Sequence, residues 1–189
     1  IERMSDREAT LSLVLNEAPP AALPVTLIMA LPRPKMLKRC LGIVAEMGVK
    51  QLYLINSVRV EKSYWQTPWL HPQKIRDSLL AGLEQARDTI LPEVHLRRGF
   101  KPFVEDELPG LMRSVRGLLA HPTAPRFDDL DLSLPVTVPS LLCIGPEGGF
   151  IPYEVEKIIS AGCRPFSVGV RIYRVETVLP LLLGKLLVG

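Results

Sequence analysis

Ser140–Gly162 reads SLLCIGPEGGFIPYEVEKIISAG. Its first five residues have the apolar run of a buried strand, and Gly145–Gly149 packs three glycines and a proline into a turn. The remainder has the pattern of a helix, with Pro152 in its first turn, Glu154 and Glu156 at the positive end of the dipole, and Gly162 as its stop. A strand that ends in a tight glycine turn and feeds a helix belongs at the carboxyl edge of a parallel sheet, where α/β proteins place ligands. Gly148 and Gly149 let the backbone approach a ligand without a Cβ in the way. No Gly-Lys-Ser/Thr follows, so the turn is not a P-loop, and the glycine spacing is not that of the GxGxxG dinucleotide fingerprint.

The alternation of strand and helix runs through the chain on either side. Val25–Leu31 predicts a buried strand, and Lys35–Gly48 a helix with Met36, Leu37, Cys40, Leu41, Val44 and Met47 at helical spacing. Gln51–Asn56 is the next strand, and His71–Thr89 a second helix that buries Ile75, Leu79, Leu80 and Leu83 on one face. Val104–Val115 predicts a third helix, Arg116–His121 a short strand, and Pro122–Pro139 a proline-bearing loop with an acidic cluster at Asp128, Asp129 and Asp131. Pro165–Val170 is the expected last strand, and Val178–Leu187 a closing helix apolar enough to predict a homodimer. Strands alternating with helices make an α/β fold with a parallel sheet flanked by helices.

The N-terminal end differs in character. Thr10–Asn16 has the alternation of a strand, and the proline-rich joint Glu17–Pro24 continues neither regular element. The expected division is therefore residues 1–20, the remnant of a small β domain, and residues 21–189, the α/β domain. The chain begins with Ile and shows no secretory leader, which reads as a piece lacking its natural start.

Composition excludes several classes. In 189 residues, 47% hydrophobic and 23% charged content is that of a globular chain, and no apolar stretch reaches the roughly 20 residues of a membrane span. Cys40, Cys143 and Cys163 form no CxxC pair, and no His stands at a metal-ligand interval, so they read as buried thiols of a cytoplasmic protein without a metal site. His71, His95 and His121 are scattered, and none is singled out. Between Arg33 and Arg76 nine cations face two acids, a surface suited to phosphate. Lys35, Lys38, Arg39 and Arg59 are the candidate RNA contacts within it. Trp65 and Trp69 either stack on unpaired bases or pin their loop to the core.

A second glycine loop follows the first by some 20 residues: Ser167–Thr177, SVGVRIYRVET. Two such loops at adjacent strand ends make a pocket. IGPEGGF followed by VGVRIYRVET resembles, in letters and spacing, the C-terminal signature of the SPOUT-class methyltransferases that act on N3 of a uridine in small-subunit (16S) ribosomal RNA. Weaker likeness extends upstream through EMGVKQLYLINSVR and GLEQARDTILPEV, with Arg87 standing where the family tends to have Gly. The resemblance implies a deep C-terminal trefoil knot, a homodimer, an N-terminal PUA-like β-barrel of which residues 1–20 are the end, and S-adenosyl-L-methionine held in the knot loops.

On that resemblance, Leu142, Ile144, Gly145, Pro146, Glu147, Gly148, Gly149, Val168, Gly169, Ile172, Tyr173 and Thr177 are the expected cofactor contacts. Methyl transfer from a sulfonium needs positioning and management of a proton more than activation, and no metal. Arg171 or Arg174 would stabilise charge on the uracil carbonyl oxygens. Glu176 and Glu147 would either orient those arginines or take part in proton removal. Two other readings stay open: a knotted ribose 2′-O-methyltransferase, against which RIYRVET stands where that group carries Ser-Leu-Asn-Val-Ser, and a non-catalytic RNA-binding ribosome-assembly factor.

Overall fold

The structure, a computed structural model, describes residues 1–14, 16–127 and 138–188. The acidic cluster at Asp128, Asp129 and Asp131 lies outside the described residues. The N-terminal segment carries only a short antiparallel pair, β1 (Arg3–Met4) with β2 (Ala9–Thr10). The longer strand expected over Thr10–Asn16 is not formed across its described residues: Leu11, Leu13 and Val14 are exposed, so its alternating apolar face has no partner.

β3 (Leu23–Ala30) is buried over Leu27–Ala30 because the sheet is covered on both faces, which is why it reads as a continuous apolar run. α1 (Pro34–Glu46) follows, with Leu37, Cys40, Leu41, Val44 and Ala45 inward, then β4 (Val49–Ile55). Two short 3₁₀ turns, Lys62–Gln66 and Pro68–Leu70, lead into α2 (Pro72–Ala86). α2 crosses α1 so closely that a Cβ on Gly82 would lie 2.4 Å from the Gly42 carbonyl oxygen. Arg87 ends α2 at φ 55°, the left-handed conformation a glycine adopts without cost, and the buried Asp88 then takes Lys50 at 2.6 Å and the Ile90 N–H at 2.9 Å.

β5 (Glu93–Arg97) comes next. The helix expected over Val104–Val115 is instead broken: α3 (Phe100–Pro102), a π turn at Phe103–Glu107 and α4 (Leu108–Leu111). Pro102 and Pro109 each lack an N–H, so the helical ladder is interrupted at these points. β6 (Arg116–Ala120), β7 (Ser140–Ile144), α5 (Pro152–Ser160), β8 (Arg164–Phe166) and α6 (Val175–Val188) complete the fold.

The six long-range strands form one sheet in the order β5-β4-β3-β7-β6-β8, and every pairing in it is parallel. The chain builds outward from β3 through β4 and β5, then lays down the other half beyond β3. The order reverses between β3 and β7, and the carboxyl ends of the strands there frame a crevice. β8 is shorter than the expected Pro165–Val170: Ser167 makes one further parallel bridge, to Arg126, and the chain then leaves the sheet. Gly169 at φ +126° is incompatible with a continuing strand.

α6 corrects the basis on which a homodimer is expected. Val175, Leu179, Leu182, Leu183 and Leu186 recur at helical spacing and are buried within the chain, where α6 packs on α1. Over Val175–Leu186, Leu181 is the one large apolar side chain left exposed. No helix among the described residues is long and apolar enough to cross a membrane.

Candidate functional site

The glycine turn is held from both sides. Glu154, only 1% exposed in the first turn of α5, accepts the Val58 N–H at 2.8 Å and the Ile151 N–H at 3.0 Å. It thereby caps its own helix and ties the loop after β4 to the loop after β7. Arg59, carried by that tied loop, donates from Nη1 to the Gly148 carbonyl oxygen and lies along the turn. Glu147 reaches the other way: its Oε1 accepts the Arg33 backbone N–H at 2.9 Å, joining the turn to the loop after β3.

Two clefts open at this edge of the sheet. The first, of ≈ 230 Å³, lies over the ends of β6, β7 and β8 and is walled by both glycine loops. Ile144, Phe150, Phe166 and Val178 give it apolar walls, and Glu147, Ser167 and Arg171 give it polar ones. Among the described residues, no backbone N–H or C=O of Val168–Tyr173 is hydrogen-bonded within the chain. The loop presents these groups to whatever enters. Gly169 makes its path possible, since φ +126° is a conformation that L side chains rarely adopt.

The second cleft, of ≈ 730 Å³, lies between the start of α1, the first 3₁₀ turn and the start of α6, walled by Arg33, Lys35, Met36, Tyr64, Arg174 and Glu176. Glu147 belongs to both clefts. Cys40 sits close enough to Glu176 and Glu147 to respond to them: burial first, then these carboxylates, pushes its thiol up to about 12. It stays a protonated thiol at neutral pH and is no nucleophile.

The expected site residues are therefore sorted. Ile144, Gly145, Pro146, Glu147, Gly148, Gly149, Val168, Gly169, Ile172 and Tyr173 line the first cleft together with Arg171. Arg174 and Glu176 line the second. Leu142 and Thr177 line neither: Leu142 is fully buried in mid-strand, paired with Leu27 and Leu118, and Thr177 spends its N–H on the Arg174 carbonyl. Among the described residues, neither acid forms an ion pair with the arginines, and Glu147 holds a backbone N–H.

Of the expected RNA contacts, Lys35, Lys38 and Arg39 are exposed on the first turns of α1, and Lys35 reaches the second cleft. Arg59 is committed to the glycine turn, and Lys50 to Asp88. Trp65 is a core residue: it is buried, and its Nε1 donates to Asn56 Oδ1 at 2.8 Å, so it pins its loop. Trp69 is half-buried, with Lys38 Nζ 5.5 Å above its ring.

The sequence profile of the RNA methyltransferase domain family matches residues 19–187. The chain belongs to that family. Within it, the chain is 29% identical over 157 residues to a Treponema pallidum (strain Nichols) protein named ribosomal RNA small subunit methyltransferase E, and 24% identical over 148 residues to one from Borreliella burgdorferi named ribosomal RNA small subunit methyltransferase E 1. These matches cover 83% and 77% of this chain, which spans 59% of the length of each relative. Among solved structures, a ribosomal RNA small subunit methyltransferase E from Neisseria gonorrhoeae bound to S-adenosyl methionine shares the fold, with a TM-score of 0.70 at 19% identity over 85% of this chain and 64% of that one.

This RNA methyltransferase domain places in the first cleft a histidine that the sequence did not single out. His121 follows β6 directly, its N–H donates to the Phe166 carbonyl at 2.8 Å, and Thr123 Oγ1 lies 3.1 Å from its Nδ1. Burial pushes its imidazole below the ordinary value, so it is neutral at pH 7. Its place at the carboxyl end of a predicted strand was the available signal.

Proposed function

We propose that this chain is the catalytic part of an S-adenosyl-L-methionine-dependent methyltransferase that modifies N3 of a uridine in the 16S RNA of the small ribosomal subunit. The observation that carries this reading is that the IGPEGG and SVGVRIY loops, far apart in the chain, wall one cleft at the carboxyl edge of the sheet. The names of the two relatives supply the substrate class.

The residues fit the cofactor. The apolar walls of the first cleft suit an adenine ring and the carbon chain, and the uncommitted backbone groups of Val168–Tyr173 suit the ring's donors and acceptors. A neutral His121 adds no charge against a sulfonium. When bound, the cofactor supplies an activated methyl group. Arg174, facing the neighbouring cleft, stabilises negative charge on an acceptor carbonyl oxygen, and the two loops hold donor and acceptor in line.

The same reading includes a deep trefoil knot at the C-terminal end. It is supported by the strand order, since β8 lies beyond β6 and the chain leaving it returns to the cleft beside β7. It also includes residues 1–20 as the end of a PUA-like β-barrel, with the α/β domain over 21–189, and a cytoplasmic protein working on ribosomal particles. A homodimer is supported by Val170 and Ile172, 95% and 83% exposed on the second glycine loop, which a second copy would cover.

The test is incubation of the protein with methyl-labelled S-adenosylmethionine and small ribosomal subunits, followed by digestion of the RNA to nucleosides. Label that comigrates with 3-methyluridine is expected. Label on ribose, recognised by an alkali-resistant phosphodiester, would favour the 2′-O-methyltransferase, and RNA binding without label would favour the assembly factor.

A further inference from the structure

The second cleft lies beside the one whose residues fit the cofactor and is the roomier of the two, at ≈ 730 Å³ against ≈ 230 Å³. Its walls are chemically mixed. Arg33, Lys35 and Arg174 are cations, Glu147 and Glu176 are acids, and the Tyr64 ring and the Met36 thioether are flat or pliable apolar surfaces. A plain anion site would not include two carboxylates, and an apolar pocket would not include three cations. A ligand that matches all three is one with an anionic backbone, a flat face and an N–H edge, which is a nucleotide with its flanking phosphates.

Glu147 lines both clefts, and one of its carboxylate oxygens is held. With Oε1 held by the Arg33 N–H at 2.9 Å, the other oxygen has no partner among the described residues. The Tyr64 hydroxyl donates to Glu61 Oε1 at 3.1 Å, and its ring packs half-buried against the core while lining the cleft with Met36 and Arg33.

We propose that the second cleft receives the acceptor nucleotide, with the base against Tyr64 and Met36, the flanking phosphates on Arg33 and Lys35, and the N–H edge of the base toward the free oxygen of Glu147. This rests on the methyltransferase reading above. It places the transfer where the two clefts meet: the acceptor nitrogen forms its bond to the methyl carbon, the carbon–sulfur bond breaks with its electron pair left on sulfur, and the nitrogen's proton passes to Glu147 and from there to solvent. Arg174, on the same cleft, faces the carbonyl oxygens beside that nitrogen.

The experiment uses the full chain and small ribosomal subunits carrying 4-thiouridine in place of uridine. Long-wavelength irradiation should crosslink the RNA to peptides containing Met36 or Tyr64. In parallel, Tyr64→Ala and Lys35→Ala are assayed for S-adenosylmethionine affinity by calorimetry and for transfer kinetics. Both should keep the wild-type cofactor affinity and raise the KM for subunits, Tyr64→Ala by about 10-fold or more, the size expected when one stacking face is removed, and Lys35→Ala more at low salt than at high, as for a lost phosphate contact. Lost cofactor affinity would assign the cleft to the cofactor's tail and overturn the proposal. So would methylation by the wild type with crosslinks elsewhere and an unchanged KM in Tyr64→Ala. Crosslinks at Met36 or Tyr64 without any methyl transfer would instead sink the proposed function and leave the cleft as a nucleotide site.

Discussion

At the scale of single residues, the site divides its arginines between two clefts, and the proposed function gives each a task that can be measured. Arg171 lines the first cleft and Arg174 the second, so Arg171→Ala should weaken cofactor binding, whereas Arg174→Ala should leave it unchanged. Transfer in Arg174→Ala should slow by about 100-fold, as when one donor to a developing oxyanion is removed. Calorimetry and single-turnover labelling separate the two. Gly169→Val should abolish cofactor binding with an unchanged circular dichroism spectrum, because a β-branched residue at φ +126° must move the loop while the sheet beneath is untouched. His121 gives the site a pH signature. Its pKa is depressed by burial, so it charges only below the ordinary imidazole value, and a charged His121 in the same cleft as Arg171 would repel a sulfonium. Cofactor affinity should therefore hold through neutral pH and fall in acid, and His121→Gln should flatten that fall.

Elements were legible where a single local rule dominated. α1, α2, α5 and β7 stand within a few residues of where periodicity and their glycine or proline punctuation put them. β5 escaped because Glu93, His95 and Arg97 are polar residues of an edge strand whose partners are side chains elsewhere: His95 stacks on Tyr53 with ring centroids 4.4 Å apart, and Arg97 meets Glu107 at 2.7 Å. The glycine loops announced the first cleft, but the second could not be read, since Arg33, Tyr64 and Arg174 come from three loops brought together only by the sheet. Packing between elements carries its own test. At the α1–α2 crossing, Gly82→Ala would set a methyl group 2.4 Å from the Gly42 carbonyl oxygen and 2.9 Å from the Ala45 Cβ, so the helices must separate. A loss of about 3 kcal/mol in urea unfolding is expected, at the upper end of ordinary overpacking. Asp88, beyond the end of α2, would be raised by burial, but the Ile90 N–H and Lys50 hold it below the usual carboxylate range. Its contribution is thus present above the unfolded carboxylate value and is lost as pH falls through the lower folded one. Asp88→Asn should remove that acid-side dependence.

For the molecule as a whole, the proposed function makes the charge on one rim the feature that would govern its meeting with RNA. Lys35 and the adjacent Lys38 and Arg39 lie exposed on the first turns of α1, next to the second cleft that Arg33 and Lys35 wall. Lys50, which composition counted with them, is spent on Asp88, and Arg59 is laid along the glycine turn, so the effective patch is smaller than the excess of cations between Arg33 and Arg76 suggests. With roughly four phosphates neutralised, the logarithm of the binding constant should fall with the logarithm of salt at a slope of about −3, which is a loss of about 60-fold between 50 and 200 mM. Reversing Lys38 and Arg39 to Glu removes two of those contacts and adds repulsion, so the slope should become shallower by about 1.5 and the affinity at low salt should drop, with no change in cofactor affinity. Fluorescence anisotropy with labelled small-subunit RNA across a salt series reads both quantities. A slope that stays at the wild-type value in the double variant would move the RNA path off α1, toward Arg98 and Lys101, which follow β5 at the same carboxyl edge of the sheet.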